Sequence, residues 1–225
     1  MWALIPVKDF NTCKSRLANA LPDYARQSLM AALLSDLLVA LKQCASIEGI
    51  SLVTRCHKAT SLAGMHNVQV ISLAEDKCLN SGVTAAVAAI TGRGHQRAII
   101  LHGDLPMVTS SDIASLVEDH CNSGCAISLV PDNHHNGTNA ILLDLPTRLE
   151  FAYGSNSYTA HNHFASQQNI SKQTLENAHI GCDIDLWHDF QPLFTLASNT
   201  RQRQHLAHWL ELYGDLFEWP QAANL

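Results

Sequence analysis

Five short runs of aliphatic and β-branched residues, at residues 2–7, 50–54, 68–72, 97–102 and 125–130, alternate along the chain with longer segments of helical periodicity. Parallel strands need long crossovers, and helices supply them. The succession therefore predicts a parallel-dominated sheet covered by helices, an α/β fold. With 225 residues, 47% of them hydrophobic, the chain can bury one good core and is short for two. No repeat or linker breaks it.

The clearest helix follows Leu21-Pro22-Asp23, where Asp23 is expected to cap a stripe of Leu29, Leu33, Leu37 and Leu41. A second is expected over residues 82–89, a third after the capping run Thr109-Ser110-Ser111-Asp112, and another over 160–167. In open α/β sheets, ligands collect beyond the carboxyl ends of the strands, which directs attention to the residues just after each apolar run.

Charge and cysteine content exclude several classes. Fourteen basic residues against twenty acidic ones leave a net charge of −6, the wrong sign for nucleic-acid binding through the backbone. The apolar opening lacks a basic leader and ends at Lys8-Asp9, too short for a signal peptide or membrane span. A cytoplasmic protein without membrane attachment is expected. Seven scattered cysteines without a Cys-x-x-Cys pair read as reduced, mostly buried thiols, and the histidines lack zinc-ligand spacing.

Four places could carry chemistry. In Leu101-His102-Gly103-Asp104-Leu105-Pro106 the carboxylate of Asp104 falls at a strand end, where it could hold a metal beside a phosphate, with Gly103 permitting close approach. It could equally cap a turn. In Gly181-Cys182-Asp183-Ile184-Asp185-Leu186, an extended backbone would send Asp183 and Asp185 to one face about 7 Å apart. Such a pair repels unless a cation lies near it. Together with Asp104 they would offer hard oxygen ligands for Mg²⁺, the alternative being a solvated turn. The loop after the first strand gathers Lys8, Lys14 and Arg16 in a chain only 15% charged, either to hold the β- and γ-phosphates of a nucleotide or simply as a solvated basic loop. Finally, Asn136-Gly137-Thr138-Asn139-Ala140 and Tyr153-Gly154-Ser155-Asn156-Ser157-Tyr158 offer small donors near a helix start, suited to a second anionic ligand or to ordinary turns. No P-loop, complete dinucleotide fingerprint or Gly-x-Ser-x-Gly is present.

Taken in order, these segments resemble the 2-phospho-L-lactate guanylyltransferase family over residues 1 to about 190. The matching parts are Ile5-Pro6-Val7-Lys8 with Lys14-Ser15-Arg16-Leu17, Leu79-Asn80, Asp104-Leu105-Pro106, Pro131-Asp132, Gly137-Thr138-Asn139-Ala140, Gly154 with Ser157 and His161, and Asp183-Ile184-Asp185. The resemblance implies a three-layer α/β/α sandwich like that of molybdopterin-guanine and sugar-phosphate nucleotidyltransferases. It implies transfer of GMP from GTP to 2-phospho-L-lactate, phosphoenolpyruvate or 3-phospho-D-glycerate, on the route to a deazaflavin redox coenzyme. By the same resemblance Pro6, Val7, Lys8, Lys14, Arg16, Leu79, Asn80 and Asp104 hold the nucleotide, with Lys14, Arg16 and Asp104 catalytic. Thr138, Gly154 and Ser157 hold the acceptor, and Asp104, Asp183 and Asp185 hold Mg²⁺. Two departures stand out: Cys78 where the family has Gly, and Tyr153 to Tyr158 in place of Phe-Gly-x-Gly-Ser-Phe, where Asn156 is expected to keep the left-handed turn. A molybdopterin or sugar-phosphate nucleotidyltransferase, or a catalytically silent nucleotide-binding regulator, are the competing readings.

Residues 1–200 account for a nucleotidyltransferase domain and 201–225 for a helical extension. The extension carries Leu206, Trp209, Leu210 and Tyr213 on one side. That face must be covered, by the chain's own sheet or, the favoured expectation, by a second copy in a homodimer.

Overall fold

The computed structural model describes residues 1–72, 78–184, 187–190 and 203–214. Seven strands, β1 (Trp2–Pro6), β2 (Gly49–Thr54), β3 (Gln69–Ser72), β4 (Arg97–Leu101), β5 (Ile127–Pro131), β6 (Thr138–Asp144) and β7 (Lys172–Thr174), form one sheet in the order β3-β2-β1-β4-β6-β5-β7. The pairs β2–β3, β1–β2, β1–β4 and β5–β7 are parallel, whereas β6 runs antiparallel to both β4 and β5. The chain leaves β1 outward to β2 and β3, then returns to place β4 on the other side of β1. The gap beyond the carboxyl ends of β1 and β4 is thus a topological switch point, the place where such sheets bind ligands.

Helices α1 (Asp23–Gln43), α2 (His57–Met65) and α4 (Ser110–Ser123) pack on one face, against Ala3, Ile5, Leu52, Ile99, Val130 and Leu142. Helices α3 (Leu79–Gly92) and α5 (Ser157–Gln167) pack on the other, against Leu4, Val53, Ile100, Leu129, Ile141 and Leu143. Alternate residues of the central strands feed opposite cores, which makes the expected α/β/α sandwich.

Helix α1 is long and apolar enough by composition to cross a bilayer, yet most of it is buried. Met30, Leu34, Leu37, Leu38 and Leu41 face the sheet, while Ala25, Leu29 and Leu33 face a third cluster. A helix apolar on all sides is one covered on all sides. What covers its outer side is α6 (Gln204–Tyr213), whose Leu206 and Trp209 are 3% and 2% exposed against α1. Trp209 Nε1 donates to Ala25 O at 3.1 Å, and the buried Asp36 carboxylate accepts from His205 N and Leu206 N at 3.1 and 2.9 Å, occupying free donors at the start of α6. Leu206 and Trp209 are thus covered by the chain's own helix α1 rather than by the sheet, and need no second copy to bury them, while Leu210 and Tyr213 stay half-buried.

Smaller corrections follow from local geometry. Pro22 holds the cap position of α1, and Asp23 sits inside the first turn, bonded to Arg26. Strands β6 and β7 and helix α2 went unassigned in the sequence. Helix α3 starts at Leu79, three residues earlier than the sequence suggests, and α5 starts at Ser157. Thr109 and Asp112 do form a reciprocal capping box on α4. All seven cysteines are free, but only Cys13, Cys44 and Cys56 are buried, so the thiols are less hidden than expected.

Candidate active site

A cavity of about 310 Å³ opens at the switch point, lined by Pro6, Val7 and Lys8 after β1, by Lys14 and Arg16, by Leu79 at the start of α3, and by His102, Gly103 and Asp104 after β4. All the nominated nucleotide residues except Asn80 line it. The loop carrying the cations is built by two short 3₁₀ turns, Phe10–Thr12 and Ser15–Leu17, joined at Lys14, which adopts the left-handed conformation (φ 51°, ψ 38°). Non-glycine residues seldom hold that geometry unless the surroundings enforce it. Here the buried Arg26 of α1 donates to Cys13 O at 2.9 Å, and Leu17 is packed into the cluster around α1.

So held, the Lys14 side chain, 3% exposed, donates to Asp104 Oδ2 at 2.5 Å, while the Asp104 side chain stays 22% exposed to the cavity. Burial pushes the Asp104 carboxyl up, but the Lys14 ammonium, then His102, outweigh it, and the net direction is down. Asp104 is thus an anion throughout the neutral range, set among Lys8, Lys14 and Arg16. Gly103 has a different reason from the one expected: a Cβ there would lie 3.1 Å from Met30 Cε and 3.4 Å from Leu34 Cδ1, so the glycine lets the loop sit down on α1.

Of the expected metal carboxylates, Asp104 and Asp183 are described and Asp185 lies outside the described residues. Residues 181–184 are irregular rather than a strand, so the shared-face argument has no extended segment to stand on there. The loop is nonetheless firmly placed. Asn133 N donates to Gly181 O at 2.9 Å, and Asn139 Nδ2 donates to Ile180 O at 2.9 Å. A Cβ on Gly181 would come within 2.3 Å of Asn133 Oδ1 and 3.2 Å of Asn177 O, so a larger residue would have to displace the Asn133 side chain. Ile184, fully buried, shares a cluster with Leu17 and Met107, the neighbours of Arg16 and of the Asp104 loop. Asp183 is half-buried. Among the described residues no group of three His, Cys, Asp or Glu side chains is gathered as a metal site. The donors present fit Mg²⁺ in kind, being hard carboxylate oxygens.

The expected acceptor residues meet, but not as a row of open donors. Thr138 and Ser157 are 0% and 2% exposed, and Thr138 N donates to Ser157 Oγ at 2.9 Å. Thr138 Oγ1 lies 3.0 Å from His161 Nδ1, and His161 Nε2 accepts from Ala152 N at 2.9 Å. Nε2 being an acceptor, the imidazole is neutral with its proton on Nδ1. Gly154 (φ 146°) is exposed with open space around its Cα, and Asn156 keeps the left-handed turn (φ 57°) as expected. Asp132 accepts from His134 N, Asn136 N and Gly137 N, so its place in the motif is to shape the neighbouring loop. Cys78 caps α3 fully exposed, its thiol drawn down by the hydrogen bond to the Ser81 hydroxyl and then by the Ser81 backbone.

Sequence reasoning missed His102. Its ring lines the cavity and lies 5.2 Å from that of Tyr153, which in turn meets His161 at 5.0 Å. Its position directly after a strand was the available signal.

The fold, with this cation-lined pocket at its switch point, is that of the nucleotidyltransferases. Among solved structures, a nucleotide-diphospho-sugar transferase from Desulfovibrio desulfuricans superposes with a TM-score of 0.74 at 14% identity, covering 96% of this chain and 95% of that one. A CMP-2-keto-3-deoxy-manno-octonic acid synthetase complexed with CTP gives 0.60 at 12% identity, covering 88% and 98%. The chain belongs to the family described as guanylyl transferase CofC like, whose model matches residues 1–211, past residue 190 and through most of α6. A phosphoenolpyruvate guanylyltransferase from Chloroflexus aggregans is 32% identical over 184 residues, 80% of this chain and 90% of that protein. A 2-phospho-L-lactate guanylyltransferase from Methanobrevibacter smithii is 22% identical over 206 residues, 92% and 89% of the two chains.

Proposed function

We propose that this protein transfers GMP from GTP to the phosphate of a small phosphorylated carboxylic acid, with release of pyrophosphate, and that phosphoenolpyruvate is its acceptor. The observation that carries the reading is the Lys14–Asp104 pair lining a cavity together with Lys8 and Arg16, in a chain matched by the family model from residue 1 to 211. Relatives of 28–32% identity carry the phosphoenolpyruvate name, against 22% for the phospholactate enzyme, which orders the acceptors. The product, an acid activated as a guanylyl diphosphate, suits the early steps of a deazaflavin coenzyme, and the setting proposed is the cytoplasm.

An acceptor phosphate oxygen attacks the α-phosphorus of GTP. The bond from that phosphorus to the bridging oxygen breaks, and pyrophosphate departs with the electron pair. The attacking phosphate is already an anion and needs no general base. Catalysis therefore rests on positioning and charge, with Lys8, Lys14 and Arg16 disposed to hold the departing phosphates. Asp104 and Asp183, with Asp185, would hold Mg²⁺, which when bound neutralises phosphate charge. Ser157 Oγ accepts from Thr138 N and keeps its own proton to donate, while the α5 amino end, open at Gly154 and Asn156, suits the acceptor's anionic groups.

Pyrophosphate release is the test, using GTP, Mg²⁺ and a panel of phosphoenolpyruvate, 2-phospho-L-lactate, 3-phospho-D-glycerate and sugar phosphates. Release requiring both GTP and one of the three acids, fastest with phosphoenolpyruvate, is expected. GTP binding without release for any acceptor would make the chain a silent binder and sink the proposal, as would preference for a sugar phosphate.

A further inference from the structure

We infer that Asn80 is a positioning residue that straps the acceptor loop to the nucleotide-bearing end of helix α3, and not itself a ligand of the nucleotide. Its neighbour Leu79 lines the cavity, yet the Asn80 side chain is turned elsewhere. Asn80 Oδ1 accepts from Tyr153 N at 2.7 Å and Asn80 Nδ2 donates to Tyr153 O at 3.2 Å. Both ends of the amide are thus committed to one residue, in the way a backbone peptide pairs across a sheet, over 73 positions of sequence. An amide suits this site as no carboxylate can, since an ionised group offers no proton to the Tyr153 carbonyl.

What the strap holds explains its use. Tyr153 opens the segment that runs through Gly154 to Ser157. Other ties to this segment, Ala152 N to His161, Thr138 N to Ser157, Tyr158 N to Asn136 and the Tyr158 hydroxyl to Thr174, come from α5, β6, the loop before it and β7. The Asn80 bonds join it instead to α3. They also fix the Tyr153 ring, which lies 5.2 Å from His102 in the nucleotide cavity and 5.0 Å from His161 beneath the acceptor loop. The Asn80 side chain thus helps to set the distance between the two substrates, from the α3 side. In a reaction that joins two anions held by different elements, losing that register should weaken productive acceptor binding while leaving the nucleotide's own contacts intact.

This inference rests on the acceptor reading of residues 153–157, and the experiment separates the two. Asn80→Ala and Asn80→Asp are compared with wild type for acceptor KM, kcat, GTP dissociation constant by calorimetry, and hydrogen exchange of amides 152–158. Asn80→Asp retains the shape of the side chain, guarding against a simple cavity effect. The expected result for both variants is a rise in acceptor KM of about tenfold or more with GTP affinity within about twofold, and faster exchange confined to 152–158. GTP affinity falling in step with acceptor KM, or unchanged exchange at 152–158, would overturn the strap. If wild type itself releases no pyrophosphate with any acid, the acceptor reading fails, while the exchange comparison still decides whether Asn80 holds the loop.

Discussion

His161 ought to make this protein sensitive to mild acid. The side chain is fully buried, Nε2 accepts from Ala152 N, and Nδ1 faces Thr138 Oγ1. Protonating Nε2 would break the first bond and bury a cation. Burial, then the nearby charge of His102, lowers its pKa from 6.5 to about 4. In the unfolded chain the residue titrates at its ordinary value, so between about pH 6.5 and 4 the unfolded state binds the extra proton and stability falls with pH. At about 1.4 kcal/mol per pKa unit, a shift of this size costs about 3 kcal/mol by pH 4. The perturbation is His161→Phe, which removes the titration. At pH 7 the variant should lose about 2 kcal/mol, because Ala152 N and the Thr138 hydroxyl lose a buried partner. Urea unfolding of both proteins from pH 7.5 to 4.5 gives the comparison, with other histidines cancelling in the difference. The wild type should approach and then meet the variant as pH falls. A constant gap across the range, or an imidazole proton resonance titrating near 6.5, would refute the neutral, acceptor role of His161.

Asp104→Asn removes an anion that Lys14 and the cavity are arranged around, and turnover should fall by about a hundredfold or more, about 3 kcal/mol of transition-state stabilisation; turnover near wild type at limiting Mg²⁺ would contradict its role. Trp209→Ala empties a fully covered site between α6 and α1 and removes the bond to Ala25 O, for an expected loss of about 3–5 kcal/mol in denaturant unfolding. Light scattering should show the same mass per particle before and after. A dimeric parent converted to monomer would restore the seam that the structure gives to α1.

Much of the fold is written in strong local signals. Strands β1, β2 and β4 announce themselves as apolar runs, and the leucine spacing of α1 needs no tertiary information. What escaped had weak or borrowed signals. Strand β7 is a polar three-residue edge, and β6 follows a turn while inserting antiparallel, an order that periodicity does not encode. The cation-lined cavity was legible because cations are rare here and cluster in one loop. The Asn80 strap and the His161 network were not, since both depend on partners that only folding brings near. The α6 face shows the same limit: amphipathicity reveals that something covers Trp209 without saying what.

On the proposed function, the buried state of Thr138 and Ser157 bears on why a choice among three similar acids is hard to read from side chains. Thr138 and Ser157 spend polar capacity on each other, and Thr138 also on His161. They act chiefly by fixing the path of the chain through Gly154, which lies exposed, and Asn156, held left-handed. Phosphoenolpyruvate, phospholactate and phosphoglycerate present the same charged groups and differ in planarity and spacing. Discrimination then falls to the shape of a short backbone arc, held from one side by His161 and Thr138 and from the other by Asn80. A change at Asn80 should therefore shift the ranking of the three acids as well as weaken all of them, whereas a change in the cationic loop should scale the three rates together. Ranking the acids with Asn80→Ala beside Arg16→Ala distinguishes these outcomes, and an unchanged order in the Asn80 variant would return selectivity to the side chains.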